Sequence, residues 1–235
     1  MKLLIALCYI VVAGLIPVYL RLVPNGHTAK TMLLKMTNSA MFVAVCLLAG
    51  FMSGNTGTGF FRYMLIGFCC SWVGDVLLHG KANMIKYVIG GCAFLGAHVF
   101  FIIAYLSTSR VFTPDAPVLT VKEAVITAAL WLLVVIITVI LKIRFKKLTV
   151  PVFIYVLALM FMLVKASGLG FMIMQSGSSP AAFALLTVGA ALFAVSDITL
   201  GINFFSKPSR FKEALNIIAY YAGQLLLALA VAFVS

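Results

Sequence analysis

Two apolar stretches decide the fold, "LIGFCCSWVGDVLLHGK" at 65–81 and "ALFAVSDITLGINFF" at 191–205. Each belongs to an apolar run of about 20 residues, the length that a helix needs to cross the hydrocarbon core of a bilayer. Each also contains one aspartate, Asp75 in the first and Asp197 in the second. A chain that buries carboxyl groups in its most hydrophobic segments needs a reason to keep them there.

The composition extends this pattern to the whole chain. Of its 235 residues, 64% are hydrophobic and only 9% are charged, which leaves too little polar surface for a water-soluble domain. No hydrophilic stretch exceeds roughly a dozen residues, so we predict one integral membrane domain over 1–235, an all-α polytopic bundle of about eight helices. The predicted spans are 3–21, 31–51, 61–79, 84–106, 121–141, 149–173, 181–204 and 212–234.

The net charge of +12 reflects topology rather than nucleic-acid binding, because most of the basic residues lie in short loops between spans. The odd-numbered loops contain eleven of them, and the other side, with both termini, contains four. We therefore predict a multi-pass cell-membrane protein with cytoplasmic odd loops and both termini outside. The eleven are Arg21, Lys30, Lys81, Lys86, Lys142, Arg144, Lys146, Lys147, Lys207, Arg210 and Lys212, and the four are Lys2, Arg62, Arg110 and Lys122.

Two of the five carboxylates are predicted to lie inside the membrane. Asp115, Glu123 and Glu213 flank span ends and are predicted to be solvated. Asp75 and Asp197 lie about 9 and 15 Å from the cytoplasmic edge, at ~1.5 Å per residue. An ionisable group in hydrocarbon costs about 3 kcal/mol on insertion scales, so both are candidate functional residues.

Other polar residues enter the membrane from the same side. Lys35, His98 and Tyr220 follow cytoplasmic loops, and with the two aspartates they predict a cavity in the cytoplasmic half. Tyr220 shares a helix stripe with Asn216 and Gln224, at steps of four. Ser196 and Asn203, seven apart, share another face. A structural network that joins the helices is the alternative interpretation.

The motifs of several enzyme classes are absent from the sequence: there is no GxSxG, HExxH, P-loop or dinucleotide fingerprint. His79 follows Asp75 by one helical turn and suggests a metal pair, but it lies at a span end, where a solvated or Asp-paired histidine is expected. We predict no metal and no cofactor. A proton-coupled transporter and a metal-dependent lipid hydrolase remain open alternatives at this point.

Several short motifs occur in an order that resembles the YhhN-like lysoplasmalogenase family of multi-pass membrane proteins. They are "GDVLL" (74–78), "FLGAHVFFIIAY" (94–105), "FAVSDITLGINFF" (193–205) and "YYAGQ" (220–224). "LLKMTNS" (33–39) is similar to the family's early lysine segment, although Met36 stands where the family usually has proline. "PVFIYVLALMFM" (151–162) is similar to its sixth-span segment.

The resemblance implies hydrolysis of the vinyl ether bond of lysoplasmalogens to a fatty aldehyde and a glycerophospho-headgroup. The substrate would be a lysophospholipid taken from the surrounding membrane lipids. Motif matching carries over Asp75, His98 and Asp197 as the catalytic group. The expected substrate-binding residues are Lys35, Ser196, Asn203, Tyr220 and Gln224.

The expected chemistry suits two carboxyl groups. Protonation of the vinyl carbon beta to oxygen gives an oxocarbenium ion, and a carboxyl group in an apolar bundle favours the protonated form that this step needs. A second carboxylate stabilises the cation or activates water, as in glycosidases. In this hypothesis Asp197 donates the proton and Asp75 stays ionised. His98 orients the acids or relays protons, and Lys35 binds the lipid phosphate. On this hypothesis, Asp75→Asn and Asp197→Asn each abolish turnover without unfolding the protein.

Overall fold

The computed structural model describes residues 1–26, 28–80, 83–115 and 117–234, without the side chain of Asn25. This part of the chain is helical, with eight long helices and three single 3₁₀ turns. The helices are α1 (Lys2–Leu22), α2 (Ala29–Ser53), α3 (Gly59–Leu77), α4 (Met84–Phe112), α5 (Val121–Ile140), α6 (Thr149–Gln175), α7 (Pro180–Phe205) and α8 (Arg210–Ala230).

Local sequence signals set most of the helix starts. In six helices a side-chain oxygen of the residue before the first turn accepts a hydrogen bond from a first-turn amide, which satisfies a donor that has no partner within the helix. Gly54 ends α2 in the left-handed conformation, with φ of 75°. The N-cap residues are Thr28, Thr58, Asn83, Thr120, Ser179 and Ser209.

All eight helices of the described chain are long and apolar enough to span a membrane. Their outward faces carry large apolar side chains such as Leu3 and Val121, which are 82% and 83% exposed. Such faces are unfavourable in water and favourable against lipid tails. The protein is therefore an integral, multi-pass membrane protein, and the predicted all-α fold is confirmed.

Six helices form a closed ring. Neighbouring pairs run from α2 to α3, α4, α6, α7 and α8, and α8 packs back against α2. Helix α1 lies outside this ring against α2 and α8, and α5 lies outside it against α6. The ring places one face of each of its six helices toward a common interior.

The α7–α8 contact depends on two glycines. A Cβ atom built on Gly223 would lie 2.7 Å from the carbonyl oxygen of Gly189 and 2.8 Å from the amide nitrogen of Phe193. Neither atom belongs to a flexible side chain, so the two backbones approach as closely as they do only because Gly223 has no side chain.

The positions of the loops agree with helices that cross the bundle in alternating directions. Residues of the first, third and seventh loops line one cavity, which places these loops at the same end. At the other end, the Asn55 side chain donates hydrogen bonds to the carbonyl oxygens of Val231 and Val234. Helix α4 continues to Phe112, beyond its predicted end at 106, and α8 ends at Ala230, before its predicted end at 234.

Candidate active site

Asp75 lies at the centre of a buried polar cluster contributed by α2, α3 and α8. The ammonium group of Lys35 is 3.1 Å from its Oδ1. The hydroxyl groups of Ser39 and Tyr220 donate hydrogen bonds to its Oδ2, at 2.6 and 2.7 Å. Asp75 is only 3% exposed, so these three donors replace the water that an ionised carboxylate requires.

We define the Asp75 cluster as Lys35, Ser39, Asp75, Tyr220 and Tyr221, and local sequence spacing aligns its two members on α2. Ser39 lies one helical turn after Lys35, so both face α3. The Tyr221 hydroxyl lies 3.2 Å from both the Ser39 hydroxyl and the carbonyl oxygen of Lys35. The cluster therefore ties α2, α3 and α8 together through polar contacts between helices.

Asp197 belongs to a second cluster, formed with His98 on α4 and Tyr155 on α6. The Tyr155 hydroxyl donates a hydrogen bond to Oδ2 of Asp197. Nε2 of His98 lies 3.4 Å from the same oxygen, close enough for electrostatic attraction although the contact lacks hydrogen-bond geometry. His98 is fully buried, and Nδ1 has no hydrogen-bond partner among the described residues. We call these three residues the Asp197 cluster.

An aromatic layer separates the two clusters. The Phe193 ring stacks on the His98 ring at 4.9 Å, and it also contacts the Tyr220 ring at 5.8 Å. The Phe94 ring also contacts Tyr220, at 5.8 Å. Together the clusters draw at least one side chain from every helix of the ring, among them Lys35, Asp75, His98, Tyr155, Asp197 and Tyr220.

Asp197 and Tyr155 line an apolar cavity of about 200 Å³. Its walls come from α4, α5, α6, α7, the segment that leads into α6 and Leu78 directly after α3, and almost all of these side chains are aliphatic or aromatic. Val88 and Cys92 on its α4 wall are exposed at the bundle surface. The chamber, which we call the apolar cavity, therefore brings a carboxyl group to a lipid-like environment.

A second cavity of about 480 Å³ lies beside it, at the end of the bundle that carries the odd-numbered loops. Leu78, Tyr87 and Leu200 line both cavities, so the two adjoin. Three charged side chains line the second cavity, Lys86, Arg210 and Glu213. We call it the charged cavity.

Comparison with known proteins gives a family for this arrangement. A model of the YhhN family matches residues 30–231. The chain belongs to the YhhN family. This family includes lysoplasmalogenases, and both clusters fall within the matched range. Neither the curated proteins nor the solved structures gave a match.

The YhhN fold brings most of the predicted site residues together in two groups. Lys35, Asp75 and Tyr220 meet in one cluster, and His98 and Asp197 meet in the other. Neither cavity wall includes Asp75 or Lys35. The structure thus places the two aspartates in different surroundings, one inside an ion-paired network and one on an apolar wall.

The remaining predicted residues make other contacts. Gln224 donates to the Ser71 hydroxyl at 3.3 Å, which joins α8 to α3. Ser196 accepts hydrogen bonds from Asn216 through its carbonyl oxygen and hydroxyl. Asn203 accepts from the Ser209 amide and lines the charged cavity.

Sequence reasoning missed three polar members of the clusters: Ser39, Tyr155 and Tyr221. All three lie in segments that resemble the family, yet a tyrosine or serine in an apolar span is too common to single out. The expectation for Glu123 was wrong in part. Its Oε1 accepts a hydrogen bond at 2.7 Å from Lys165, so it forms an ion pair across α5 and α6 rather than only facing solvent.

Potential metal ligands are sparse in the part of the chain that the structure describes. No three residues among its His, Cys, Asp and Glu gather closely enough to hold an ion. Nε2 of His79 lies 3.3 Å from the Thr31 hydroxyl.

Proposed function

We propose that this YhhN protein is a lysoplasmalogenase, a membrane-embedded hydrolase of the vinyl ether bond of lysoplasmalogens. One observation carries the proposal: Asp197 lies on the wall of an apolar cavity that adjoins a charged cavity at the end of the bundle. Membership of a family that includes lysoplasmalogenases supports it.

The two cavities suit the two parts of a lysolipid. The single hydrocarbon chain fits an apolar chamber whose α4 wall faces the lipid, and the polar headgroup fits the charged chamber. Asp197 precedes Asn203, on the charged cavity, by six residues of α7, or ~9 Å. A vinyl ether bond joins the chain to the glycerol close to the phosphate, so Asp197 lies at a suitable depth to reach it.

The chemistry begins with the proton of Asp197. In its neutral form this carboxyl group donates a proton to the vinyl carbon beta to oxygen, and the alpha carbon becomes part of an oxocarbenium ion. The carboxylate left behind stabilises that cation, and the Tyr155 hydroxyl stabilises the carboxylate through its hydrogen bond. Water adds to the alpha carbon and its proton returns to Asp197.

The hemiacetal then breaks between the alpha carbon and the glycerol oxygen. The glycerol oxygen takes a proton and leaves with the headgroup, while the hemiacetal hydroxyl loses its proton and becomes the carbonyl of a fatty aldehyde. His98 is close enough to Asp197 to carry protons during this exchange. Overall the reaction consumes one water and restores the enzyme.

Asp75 has a different role in this proposal. Because Lys35, Ser39 and Tyr220 surround it, Asp75 acts as a positioning residue that fixes the Tyr220 ring behind Phe193. Glycosidases place both carboxyl groups against the substrate, whereas here one carboxyl group serves as acid and then as base.

The charge distribution supports one orientation in the membrane. Eleven basic residues in the odd loops against four on the other side favour a cytoplasmic location for the charged cavity and both clusters. Both termini then lie outside. A lysolipid in the cytoplasmic leaflet would present its headgroup at the same level.

The decisive experiment measures aldehyde release by the purified protein in lipid nanodiscs from lysoplasmenylethanolamine. The ester lysolipid and the saturated alkyl ether serve as controls and should give no aldehyde. In ¹⁸O-labelled water, the released glycerophosphoethanolamine should contain no label, because the bond that breaks is on the alkenyl side of its oxygen.

Two aspartate variants test the assignment of the acid. Asp197→Asn should lower turnover by about 10²–10⁴-fold, as loss of an acid–base group does. Asp115→Asn changes an exposed loop carboxylate and should leave turnover unchanged. Folded wild type that releases no aldehyde would contradict the function and favour a proton-coupled transporter, and an active Asp197→Asn variant would contradict the mechanism.

A further inference from the structure

The charged cavity holds both signs of charge around one space. Lys86 comes from the first turn of α4, and Arg210 and Glu213 come from the first turn of α8. The sequence predicts only that Glu213 is solvated. That prediction does not explain why this acidic residue lines the same cavity as two basic residues.

None of these three side chains forms an ion pair within 4 Å with another described residue. Lys35 and Lys165, by contrast, each contact a carboxylate directly. The charges around the cavity are therefore available to a ligand that carries both a negative and a positive group.

The cavity also has an aromatic wall. The rings of Tyr87 and Phe204 stack at 4.1 Å, and both residues line the charged cavity. Aromatic faces attract ammonium and quaternary ammonium groups, and a neighbouring carboxylate adds to that attraction.

We propose that the charged cavity is a recognition site for the zwitterionic headgroup of a lysophospholipid. Lys86 and Arg210 bind the phosphate, and Glu213 with the Tyr87–Phe204 wall binds the ammonium group. Glu213 thereby selects ethanolamine and choline lipids over those that end in a bare phosphate, which it repels. This inference rests on the proposed function for the identity of the substrate.

The position of the site supports a lipid as the ligand. Leu78, Tyr87 and Leu200 border both cavities, so a molecule with its headgroup between Lys86 and Glu213 can extend its chain toward Asp197. Lys35, predicted to hold the phosphate, is paired with Asp75 and lines neither cavity.

The test compares kcat/KM of the full chain in nanodiscs for lysoplasmenylethanolamine, lysoplasmenylcholine and 1-alkenylglycerol 3-phosphate. Glu213→Gln should lower the preference for the two amine lipids over the bare phosphate lipid by about tenfold, chiefly through KM. Glu213→Asp should keep most of the preference. Arg210→Gln should weaken all three substrates together. An unchanged preference in Glu213→Gln would overturn the assignment.

A binding measurement without turnover tests this inference separately from the proposed function. Saturated alkyl ether lysolipids with the same three headgroups contain no vinyl ether, and their binding is measured by native mass spectrometry. If wild type hydrolyses no vinyl ether, the function fails, yet loss of amine selectivity in Glu213→Gln still supports the headgroup site. Equal binding of all headgroups by wild type would overturn it.

Soluble glycerophosphoethanolamine distinguishes a lipid site from a site for free phosphate esters. It carries the headgroup without the chain, so it should compete at least about 100-fold more weakly than the alkyl ether lysolipid. Competition at equal concentration would overturn the lipid assignment. Asp115→Asn, at the far end of the bundle, is the matched carboxylate control and should leave every ratio unchanged.

Discussion

The ammonium group of Lys35 lies 3.1 Å from Oδ1 of Asp75, and the two side chains are 12% and 4% exposed. Such a pair has little net effect on stability while it is intact, because desolvation of both charges offsets their attraction. Removing one partner is different, since it leaves a single charge in an apolar interior.

This pair predicts a coupled effect on stability. Asp75→Asn should lower the free energy of unfolding by about 3–5 kcal/mol, because Lys35 keeps its charge without a partner. Lys35→Met should lower it by a similar amount, because Asp75 then has no charged partner. The double variant should recover much of the lost stability. Thermal unfolding in detergent measures the cycle. Simple addition of the two losses would contradict the pairing, and the result also bears on the hypothesis that Asp75→Asn leaves the fold intact.

Tyr155 predicts a loss of rate without a loss of structure. Tyr155→Phe keeps the ring and removes only the hydrogen bond to Asp197. We expect kcat to fall by roughly 10- to 100-fold, the usual effect of losing one hydrogen bond to a charged group. Tyr105→Phe is the matched control, because the buried Tyr105 hydroxyl has no hydrogen-bond partner among the described residues. If both variants turn over lysoplasmalogen at the same rate, Tyr155 does not assist Asp197.

The apolar cavity predicts a chain-length preference. A Cβ atom built on Gly91, which lines this cavity, meets nothing within 4 Å, so Gly91→Leu has room to project into the chamber. It should lower kcat/KM for a long alkenyl chain about tenfold relative to a short one. Gly14→Leu on α1, also in open space, should leave the ratio unchanged. A ratio that is unaltered in Gly91→Leu places the chain elsewhere.

The α7–α8 contact predicts a specific sensitivity to one methyl group. Gly223→Ala forces a Cβ atom against two backbone atoms of α7 and should destabilise the fold by about 1–3 kcal/mol. Gly14→Ala adds the same methyl group where nothing is within 4 Å, and should be neutral or slightly stabilising. The midpoints of thermal unfolding compare the two. Equal midpoints would show that the helices separate readily at Gly223.

The sequence by itself determined the membrane fold. Apolar runs of membrane-spanning length, broken by polar and glycine-containing turns, predicted eight spans, and eight helices of the described chain correspond to them. These signals are local, because helix formation in lipid depends on the hydrophobicity of one segment and on its own backbone hydrogen bonds. Asp75 and Asp197 could also be recognised from the sequence alone. A carboxyl group within an apolar run raises the free energy of membrane insertion, whichever residues it later contacts.

Only the tertiary structure decided which polar groups meet. Tyr220 and Asp75 are 145 residues apart, and Tyr155 and Asp197 are 42 apart. Their pairing depends on the closed order of six helices, which packing between helices sets and no single span encodes. The same packing divided the predicted single cluster into an ion-paired group around Asp75 and a group at the cavity around Asp197. The sequence predicts the depth of each residue in the membrane, but the neighbours of that residue follow from how the helices fit together.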